Sequence, residues 1–344
     1  MTASVGAEAA LIPYDPAARD GDERVPPGEA AAIAEIVAAI EAGVRAAAKT
    51  APARRDAHVK AHGCVKAEFR VRDDLPSELR VGLFAAPRRY QAWVRFSNGN
   101  GSPQDDKIGD GRGMAVKLMG VEESPSTTQD FLMINNPAFF VRNAADYIGF
   151  ENADPQWRFF LPSWNPLRFR LHEFLIVQAI TGQKLTNPLD ARFWSMTPYL
   201  WGDTQAKFSA RRAGPLSPFS STAGPDFLRD NLARHLAKMG AAFDFLVQRR
   251  TRPAAMPIED PTIAWKESDA PFVPVARIEI PAQQGFDQPD ALAFCENLSF
   301  TPWHGLAAHR PVGGINRVRR TVYETISRLR HELNGVPRVE PGGF

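Results

Sequence analysis

The segments that decide the fold lie between residues 64 and 135. They are CVKAEFRV (64–71), LRVGLFAA (79–86), YQAWVRFS (90–97), GMAVKLMGV (113–121) and DFLMIN (130–135). Each has the length of a β-strand and is bounded by turn-forming residues. Apolar and charged residues alternate from Val65 to Arg72, which indicates a strand with one buried face. Several such strands without intervening helices predict an antiparallel barrel or sandwich.

Helical patterns flank this β-rich stretch. Apolar residues recur at helical spacing between 28 and 49, and two later stretches, 171–181 and 227–248, are long and periodic enough to be helices. PVARIEIPA (274–282) adds a strand. The stretch RRTVYETISRLRHEL (319–333) predicts a helix that ends at Asn334-Gly335, since glycine is a common helix stop.

These patterns predict an α+β protein with an antiparallel β-barrel or sandwich core and attached helices. We expect one structural domain in three parts. Residues 1–50 form an arm and a helix, residues 51–285 form the core with inserted helices, and residues 286–344 carry the C-terminal helix. The irregular arm could exchange between subunits, which leaves room for a homo-oligomer.

Composition excludes some classes of function. The 344 residues are 44% hydrophobic and 23% charged, with a formal net charge of +2. This argues against a nucleic-acid-binding protein, which needs a concentrated basic surface. The N-terminal residues lack a signal-peptide pattern and no stretch has the length of a membrane span, so we expect a cytoplasmic location. Most of the 22 phenylalanines and 7 tryptophans should be core residues, but an exposed set could make a peripheral membrane contact.

Cysteine usage and three local motifs give weak signals. Cys64 and Cys295 are far apart and have no CxxC partner, so we expect them to stay reduced. GDGRG (109–113) precedes a strand rather than a helix, so it does not fit a phosphate-binding loop. HVKAH (58–62) lacks the glutamate of a zinc-protease motif and runs into a strand. Finally, no GxSxG elbow supports serine catalysis.

The C-terminal helix carries the first chemical signal. On it, Arg319 lies at i−4 from Tyr323, Ser327 at i+4 and Arg330 at i+7, so all four share one face. A guanidinium favours the phenolate form of a neighbouring tyrosine, and a ferric ion would complete the deprotonation. On spacing alone, however, an amphipathic helix with solvated arginines is the simpler interpretation.

An ordered series of upstream motifs changes that balance. The series comprises Arg55-x-x-His58, VRFS (94–97), RGMAVK (112–117), NNPAFFVRNA (135–144) and the terminal RRxxYxxxxRxR (319–330). In this order the motifs resemble the catalase superfamily over roughly residues 50–150 and 295–335. The resemblance implies a catalase-like barrel and haem b, whose iron the phenolate of Tyr323 would hold.

The same resemblance implies roles for individual residues. His58 would be the distal histidine above the iron, and Ser97 would orient its ring. Arginines would pair with the haem propionates or with the ligand oxygen, and two aromatic rings would pack near the porphyrin. The implied cofactor-binding residues are Arg55, Arg95, Arg112, Phe140, Tyr147, Arg319, Tyr323 and Arg330. Because the turn before the strand is one residue out of step with the family, His62 competes with His58 for the distal position.

The chain also departs from the family pattern. Ile134 stands where the family's distal amide belongs, and Asn135, the third implied catalytic residue, follows one position later. The chain is short, as in the minimal catalase-related haem proteins. We therefore predict a haem peroxidase acting on hydrogen peroxide or organic hydroperoxides with an organic reductant, and with weak or no catalase activity. The alternatives are a fatty-acid hydroperoxide isomerase or lyase, a non-enzymatic haem-binding protein, and a fold without haem.

Overall fold

The computed structural model describes residues 10–15 and 23–344, together with the backbone of residues 5–8. The strands are β1 (Val5–Glu8), β2 (Ala61–Val71), β3 (Arg89–Asn98), β4 (Arg112–Met119), β5 (Thr128–Ile134), β6 (Phe193–Trp194), β7 (Tyr199–Trp201), β8 (Thr204–Arg212), β9 (Ala241–Arg249), β10 (Val273–Ile280) and β11 (Val339–Pro341). The α-helices are α1 (Glu29–Ala47), α2 (Ala144–Glu151), α3 (Leu171–Thr181), α4 (Phe227–Leu236), α5 (Pro289–Asn297) and α6 (Gly314–Asn334).

Eight strands close into an antiparallel barrel. Their order around it is β6-β5-β4-β3-β2-β10-β9-β8, and pairing of β6 with β8 completes the circle. Strand β7 extends the edge at β8, while β1 and β11 form a separate two-stranded ribbon. The prediction of an α+β protein with an antiparallel barrel core is therefore confirmed. The division into three parts along the chain stays a prediction.

Aromatic side chains fill the barrel. Phe69 of β2, Phe131 of β5 and Phe245 of β9 are fully buried. The ring of Phe245 lies 5.2 Å from that of Phe69 and 4.7 Å from that of Phe131. Such offset and edge-on contacts add to the free energy gained from burying the rings. Because the barrel is packed solid here, the room for a ligand has to lie outside it.

Helices α1 and α6 pack together beside the barrel. Ile36 and Ile40 of α1 lie in one apolar cluster with Val318 and Val322 of α6. This packing fixes the side of α6 that carries Arg319 and Tyr323. Helix α6 ends at Gly335, whose φ of 63° is a left-handed conformation that glycine adopts without strain. The predicted helix and its stop are confirmed.

Two segments differ from the sequence-based expectation. LRVGLFAA (79–86) was expected as a strand, but its residues form two short 3₁₀ turns, and Gly82 has a φ of 51° that a strand does not allow. The stretch 227–248 was expected as one helix, but the helix ends at Leu236 and 241–249 is a strand. The reason is tertiary: pairing with β8 and β10 on both sides satisfies this backbone in the barrel.

Lys117 of the RGMAVK motif is a structural residue. Its ammonium lies fully buried, 2.8 Å from a carboxylate oxygen of Asp130 and 2.5 Å from one of Glu340. Burial acts to lower the pKa of Lys117, but the two carboxylates outweigh it and raise the pKa. The group therefore stays charged and joins strands β4 and β5 to the C-terminal ribbon.

Among the helices that the structure describes, none is long and apolar enough to cross a membrane.

The expectation for the cysteines is wrong. Cys64 of β2 and Cys295 of α5 form a disulfide that joins positions 231 residues apart. Sequence spacing did not indicate it, because only the docking of α5 against β2 brings the two residues together. Disulfides persist mainly in oxidising compartments. The cytoplasmic location therefore stays a prediction, and one that this pair does not favour.

Cys295→Ser should destabilise the protein by about 2–4 kcal/mol, because it releases a long loop in the unfolded chain. The measurement is urea unfolding of wild type and variant. Wild type treated with a reductant should match the variant, whereas the variant itself should not respond to reductant. Equal stability of wild type and variant under oxidising conditions would count against a role for this bond.

Candidate functional site

A cavity of about 730 Å³ lies between the barrel wall and α6. This volume is typical of small-molecule and cofactor sites. Strands β3, β4 and β5 and the loop before β2 form one wall, and α6 forms another. Among the lining residues are Arg55, His58, Arg95, Ser97, Gly113, Ile134, Phe139, Phe140, Tyr147, Arg319, Tyr323 and Arg330.

The loop before β2 presents His58 to the cavity. Its backbone is left-handed, with a φ of 58°, and two hydrogen bonds fix it there. The His58 N–H donates to the Gly99 carbonyl at 3.0 Å, and the Arg95 guanidinium donates to the His58 carbonyl at 2.7 Å. On the ring, Nδ1 lies 3.1 Å from the hydroxyl oxygen of Ser97. Because Ser97 occupies Nδ1, the other ring nitrogen, Nε2, is left for a ligand.

Gly113 makes room for this imidazole. It lies opposite Ser97 in the β3–β4 ladder. A Cβ at position 113 would lie 2.7 Å from the His58 ring and 2.9 Å from the Ser97 oxygen. Both distances are shorter than van der Waals contact, so a larger residue would displace the ring or break its bond to Ser97. The glycine of RGMAVK is thus part of the site, which the motif alone did not reveal.

The imidazole of His58 is held neutral. Burial lowers its pKa to about 3, and the positive charges of Arg95, Arg319 and Arg55 act in the same direction. A neutral imidazole can accept a proton at physiological pH. An ordinary histidine, by contrast, would be partly protonated near pH 6.5.

Stability should therefore depend on pH through His58. Between about pH 3 and 6.5 the unfolded chain binds a proton at this position that the folded protein does not, so wild type should lose stability as the pH falls. His58→Asn, which tolerates the left-handed backbone, should lose about 1–2 kcal/mol less than wild type between pH 7.5 and about pH 5. Urea unfolding at both pH values measures this. The exposed His172→Asn should lose as much as wild type, and an equal loss in His58→Asn would contradict a depressed His58 pKa.

On the wall formed by α6, Arg319 and Tyr323 face the cavity together. A guanidinium nitrogen of Arg319 lies 3.5 Å from the Tyr323 hydroxyl oxygen, and the guanidinium carbon lies 5.2 Å from the centre of its ring. The other terminal nitrogen of Arg319 donates to Thr197 at 3.3 Å. Burial acts to lower the pKa of Arg319, but Tyr323 and Tyr199 outweigh it and raise the pKa. A permanent cation therefore stands beside the phenol oxygen.

Three further arginines converge at one end of the cavity around a single carboxylate. Arg55 lies 2.6 Å from an oxygen of Glu296, with Arg95 at 3.9 Å and Arg330 at 3.8 Å. Arg55 and Arg330 also donate to the Leu298 carbonyl. Position 296 lies next to the disulfide, so the Cys64–Cys295 bond anchors the carboxylate. Sequence analysis missed Glu296, since no motif distinguishes it from a surface residue of α5.

The charges at this end do not balance. Three guanidinium groups face one carboxylate, and the Nε of Arg95 is buried without a hydrogen-bond partner. Burial and the repulsion of Arg55 lower the pKa of Arg330 to about 9, and the same causes lower that of Arg95 well below its ordinary value. Such an arrangement is costly without further negative charge. A ligand that brings carboxylates to this end would relieve it.

Aromatic and acidic side chains line another part of the cavity. The ring of Phe140 lies 4.8 Å from that of Phe150, and Phe139 stacks on Tyr147 at 6.4 Å. Burial raises the pKa of Tyr147 well above its ordinary value, and Asp56 and Glu151 nearby raise it further. Tyr147 is therefore a neutral phenol.

Three residues expected at the site lie outside this lining. The side chain of Asn135 accepts from the Arg112 backbone N–H at 2.8 Å and does not line the cavity. Ile134, the preceding residue, lines it instead. The Arg112 guanidinium donates to Asn98 and to the Asp106 carbonyl. His62, the competitor of His58, is buried with its Nε2 2.9 Å from Asn98. The structure thus favours His58 over His62 as the histidine that faces a ligand in the cavity. Asn135 and Arg112 make contacts that support the fold.

The site has the size and charge for a largely apolar ligand with carboxylates at one end. A neutral imidazole would face that ligand from one wall and a phenol with its own guanidinium from another. Arg55, Arg95 and Arg330 would receive the carboxylates as forked donors. The residues described include no cluster of three or more His, Cys, Asp or Glu side chains able to hold a bare metal ion.

Comparison with solved structures identifies the fold. A fungal catalase is 19% identical with a TM-score of 0.66; the match covers 84% of this chain and 61% of that one. Catalase A from Saccharomyces cerevisiae is 18% identical with a TM-score of 0.67, covering 86% and 65%. A bacterial catalase is 18% identical with a TM-score of 0.62, covering 87% and 62%.

The fold is therefore catalase-like, as the order of the motifs predicted. The chain spans less than two thirds of the length of these catalases. No protein-family model and no curated protein matches the sequence. At such low identity the likeness concerns the fold, so the activity has to be argued from the site.

Proposed function

We propose that this chain, with its catalase-like fold, is a haem peroxidase that reduces hydrogen peroxide or organic hydroperoxides. The observation that carries the proposal is the excess of buried positive charge at the end of the cavity formed by Arg55, Arg95 and Arg330. Haem b is largely apolar with two carboxylates at one edge, and the aromatic lining and the arginine cluster of this cavity suit both features. Tyr323 would hold the iron as a phenolate, with the Arg319 guanidinium 3.5 Å from its oxygen.

The chain's own residues would manage the proton. Haem, when bound, supplies a ferric iron at which the O–O bond of a peroxide is broken. His58 Nε2 accepts the proton from one peroxide oxygen and returns it to the other, which leaves as water or an alcohol. For Nε2 to act as the base, Nδ1–H has to donate to Ser97. The phenyl rings of Phe139 and Phe140 and the side chain of Ile134 keep the surroundings apolar.

A second function is favoured by one observation. Ile134 lines the cavity where an amide was expected, and the neighbouring lining residues Phe139 and Phe140 are also apolar. Such a wall suits a fatty acyl chain better than hydrogen peroxide. The alternative is thus a fatty-acid hydroperoxide isomerase or lyase, which rearranges its substrate without an external reductant.

The visible absorption spectrum of protein expressed with adequate haem tests the proposal first. We expect a Soret band, and its absence would overturn the assignment. Rapid mixing with hydrogen peroxide or a fatty-acid hydroperoxide, each with and without a reducing dye, then separates the activities. Dye oxidation supports the peroxidase and oxygen release a catalase. Loss of the lipid hydroperoxide without dye supports the isomerase or lyase.

The organic reductant, self-association and cytoplasmic location remain proposals. Residues 1–4, 9 and 16–22 of the N-terminal arm, on which self-association was predicted, lie outside the described residues. Size measurement of the purified protein and fractionation of cells test the last two directly.

A further inference from the structure

Six large apolar side chains are exposed within one short span. In the described part of the chain, fifteen large apolar side chains are more than about a third exposed, and six of them lie between residues 157 and 175. They are Trp157, Trp164, Leu167, Phe169, Leu171 and Leu175. Single exposed apolar residues are ordinary, but such a concentration marks a contact surface. We call these six residues the 157–175 surface.

The backbone brings these residues together. The rings of Trp157 and Trp164 touch edge to face, with centroids 5.4 Å apart. The N–H of Arg170 donates to the Phe160 carbonyl at 2.9 Å, so the end of the segment returns to its beginning. Leu171 and Leu175 follow at i and i+4 on one side of α3. The ring contact and the hydrogen bond thus bring the two ends of the segment 157–170 together, and Leu171 and Leu175 continue from it on α3.

The exposed charges of this segment have one sign. Residues 157–175 contain Arg158, Arg168 and Arg170, and their one acidic residue, Glu173, is buried and lies 3.5 Å from Arg142. The Arg158 guanidinium lies over the Trp164 ring at 5.4 Å, and Arg170 pairs with Asp146 at 2.9 Å. In a twofold self-contact the same patch meets itself, which would set these arginines against their own copies. The charge thus favours an anionic partner over a second copy of this chain.

We propose that the 157–175 surface docks on the surface of a phospholipid bilayer that contains anionic headgroups. Tryptophan side chains are enriched at membrane–water interfaces because one end of the indole is apolar and the other donates a hydrogen bond. Leu167, with 95% of its surface exposed, enters the acyl boundary. The exposed Arg158 and Arg168 meet the headgroup phosphates.

The 157–175 surface lies next to the cavity. Gln156, next to Trp157 in the chain, and Val177 of α3 both line the cavity. Helix α3 thus turns Leu171 and Leu175 outward and Val177 and Ile180 inward. A substrate that partitions into membranes would meet the protein beside its site. The docking itself does not require haem or any activity, so it can fail or hold independently of the proposed function.

Flotation of the full chain with vesicles tests the proposal. Vesicles of phosphatidylcholine alone are compared with vesicles that also contain phosphatidylglycerol, at low and high salt. We expect binding to the mixed vesicles that weakens with salt and falls about tenfold in Trp164→Ser/Leu167→Ser. The matched control is Leu216→Ser, whose side chain is 71% exposed on a different segment and should leave binding unchanged.

Three outcomes would overturn the proposal. They are no binding to either vesicle, binding that Trp164→Ser/Leu167→Ser leaves intact, and an equal loss in Leu216→Ser. Size measurement of the same proteins tests whether a second copy of this chain occupies the surface instead. That assignment would follow if wild type is a dimer, Trp164→Ser/Leu167→Ser is a monomer and neither binds vesicles. Because the substituted side chains are exposed, thermal unfolding should show unchanged stability.

Discussion

Tyr323→Phe should lose most of its bound haem, or retain it with a clearly altered visible spectrum. The substitution removes one oxygen, the only atom of this side chain able to bind a ferric iron, and keeps the ring that packs between α1 and α6. It also leaves Arg319 facing the cavity without the oxygen that stabilises its charge. The measurement is the Soret band per protein after expression with adequate haem.

Tyr147→Phe is the matched control for this experiment. Tyr147 lines the same cavity and is also a buried phenol, but it is surrounded by Asp56 and Glu151 rather than by an arginine. Its loss should leave the Soret position unchanged. Normal spectra in Tyr323→Phe, or a larger change in Tyr147→Phe, would remove Tyr323 from the iron. Thermal unfolding of each variant separates a lost ligand from a lost fold.

His58→Gly should reduce the rate of the reaction with peroxide by roughly 10²–10⁴-fold, because it removes the proposed proton acceptor. Glycine is the substitution of choice because position 58 has a φ of 58°, which glycine adopts without strain. The contact at 2.7 Å between the Arg95 side chain and the backbone of position 58 remains available. Stopped-flow mixing with hydrogen peroxide measures the rate, and the Soret band reports whether haem is retained.

Chemical rescue makes the result specific. Deleting the ring leaves a space bounded by Ser97 and Gly113, so added imidazole should restore part of the rate in His58→Gly and none in wild type. His172→Gly, on the exposed side of α3, should react as wild type does. An unchanged rate in His58→Gly would assign proton transfer elsewhere. Haem loss with no rescue would make His58 a binding residue instead.

The structure connects the Cys64–Cys295 disulfide to the candidate site through Glu296. Glu296, which the three arginines share, immediately follows Cys295 in α5. The bond from Cys64 to Cys295 therefore tethers the segment that neutralises part of the cavity charge. The stability test on Cys295→Ser should be read together with haem content, since loosening α5 frees Arg55 and Arg330 from their carbonyl partners.

The sequence by itself determined most strands of the core and the helix that carries Tyr323. Alternation in β2, the turn residues between strands and the stop at Gly335 are local signals, which can be interpreted without knowing the distant partners of each residue. The order of the motifs likewise predicted the fold and brought Arg55, His58, Arg95, Ser97 and Tyr323 into one hypothesis. The structure places all five of these side chains in the lining of one cavity.

Only the tertiary structure decided which of the predicted residues line the cavity and which make contacts outside it. Asn135 and Arg112 lie in motifs of the right kind, yet their side chains are used in contacts outside the cavity. Glu296 has no motif at all and becomes part of the site because α5 docks on β2. The strand 241–249 was mistaken for helix for the same reason. Long-range pairing and docking fix these features, and neither spacing nor periodicity encodes which distant partner a residue will meet.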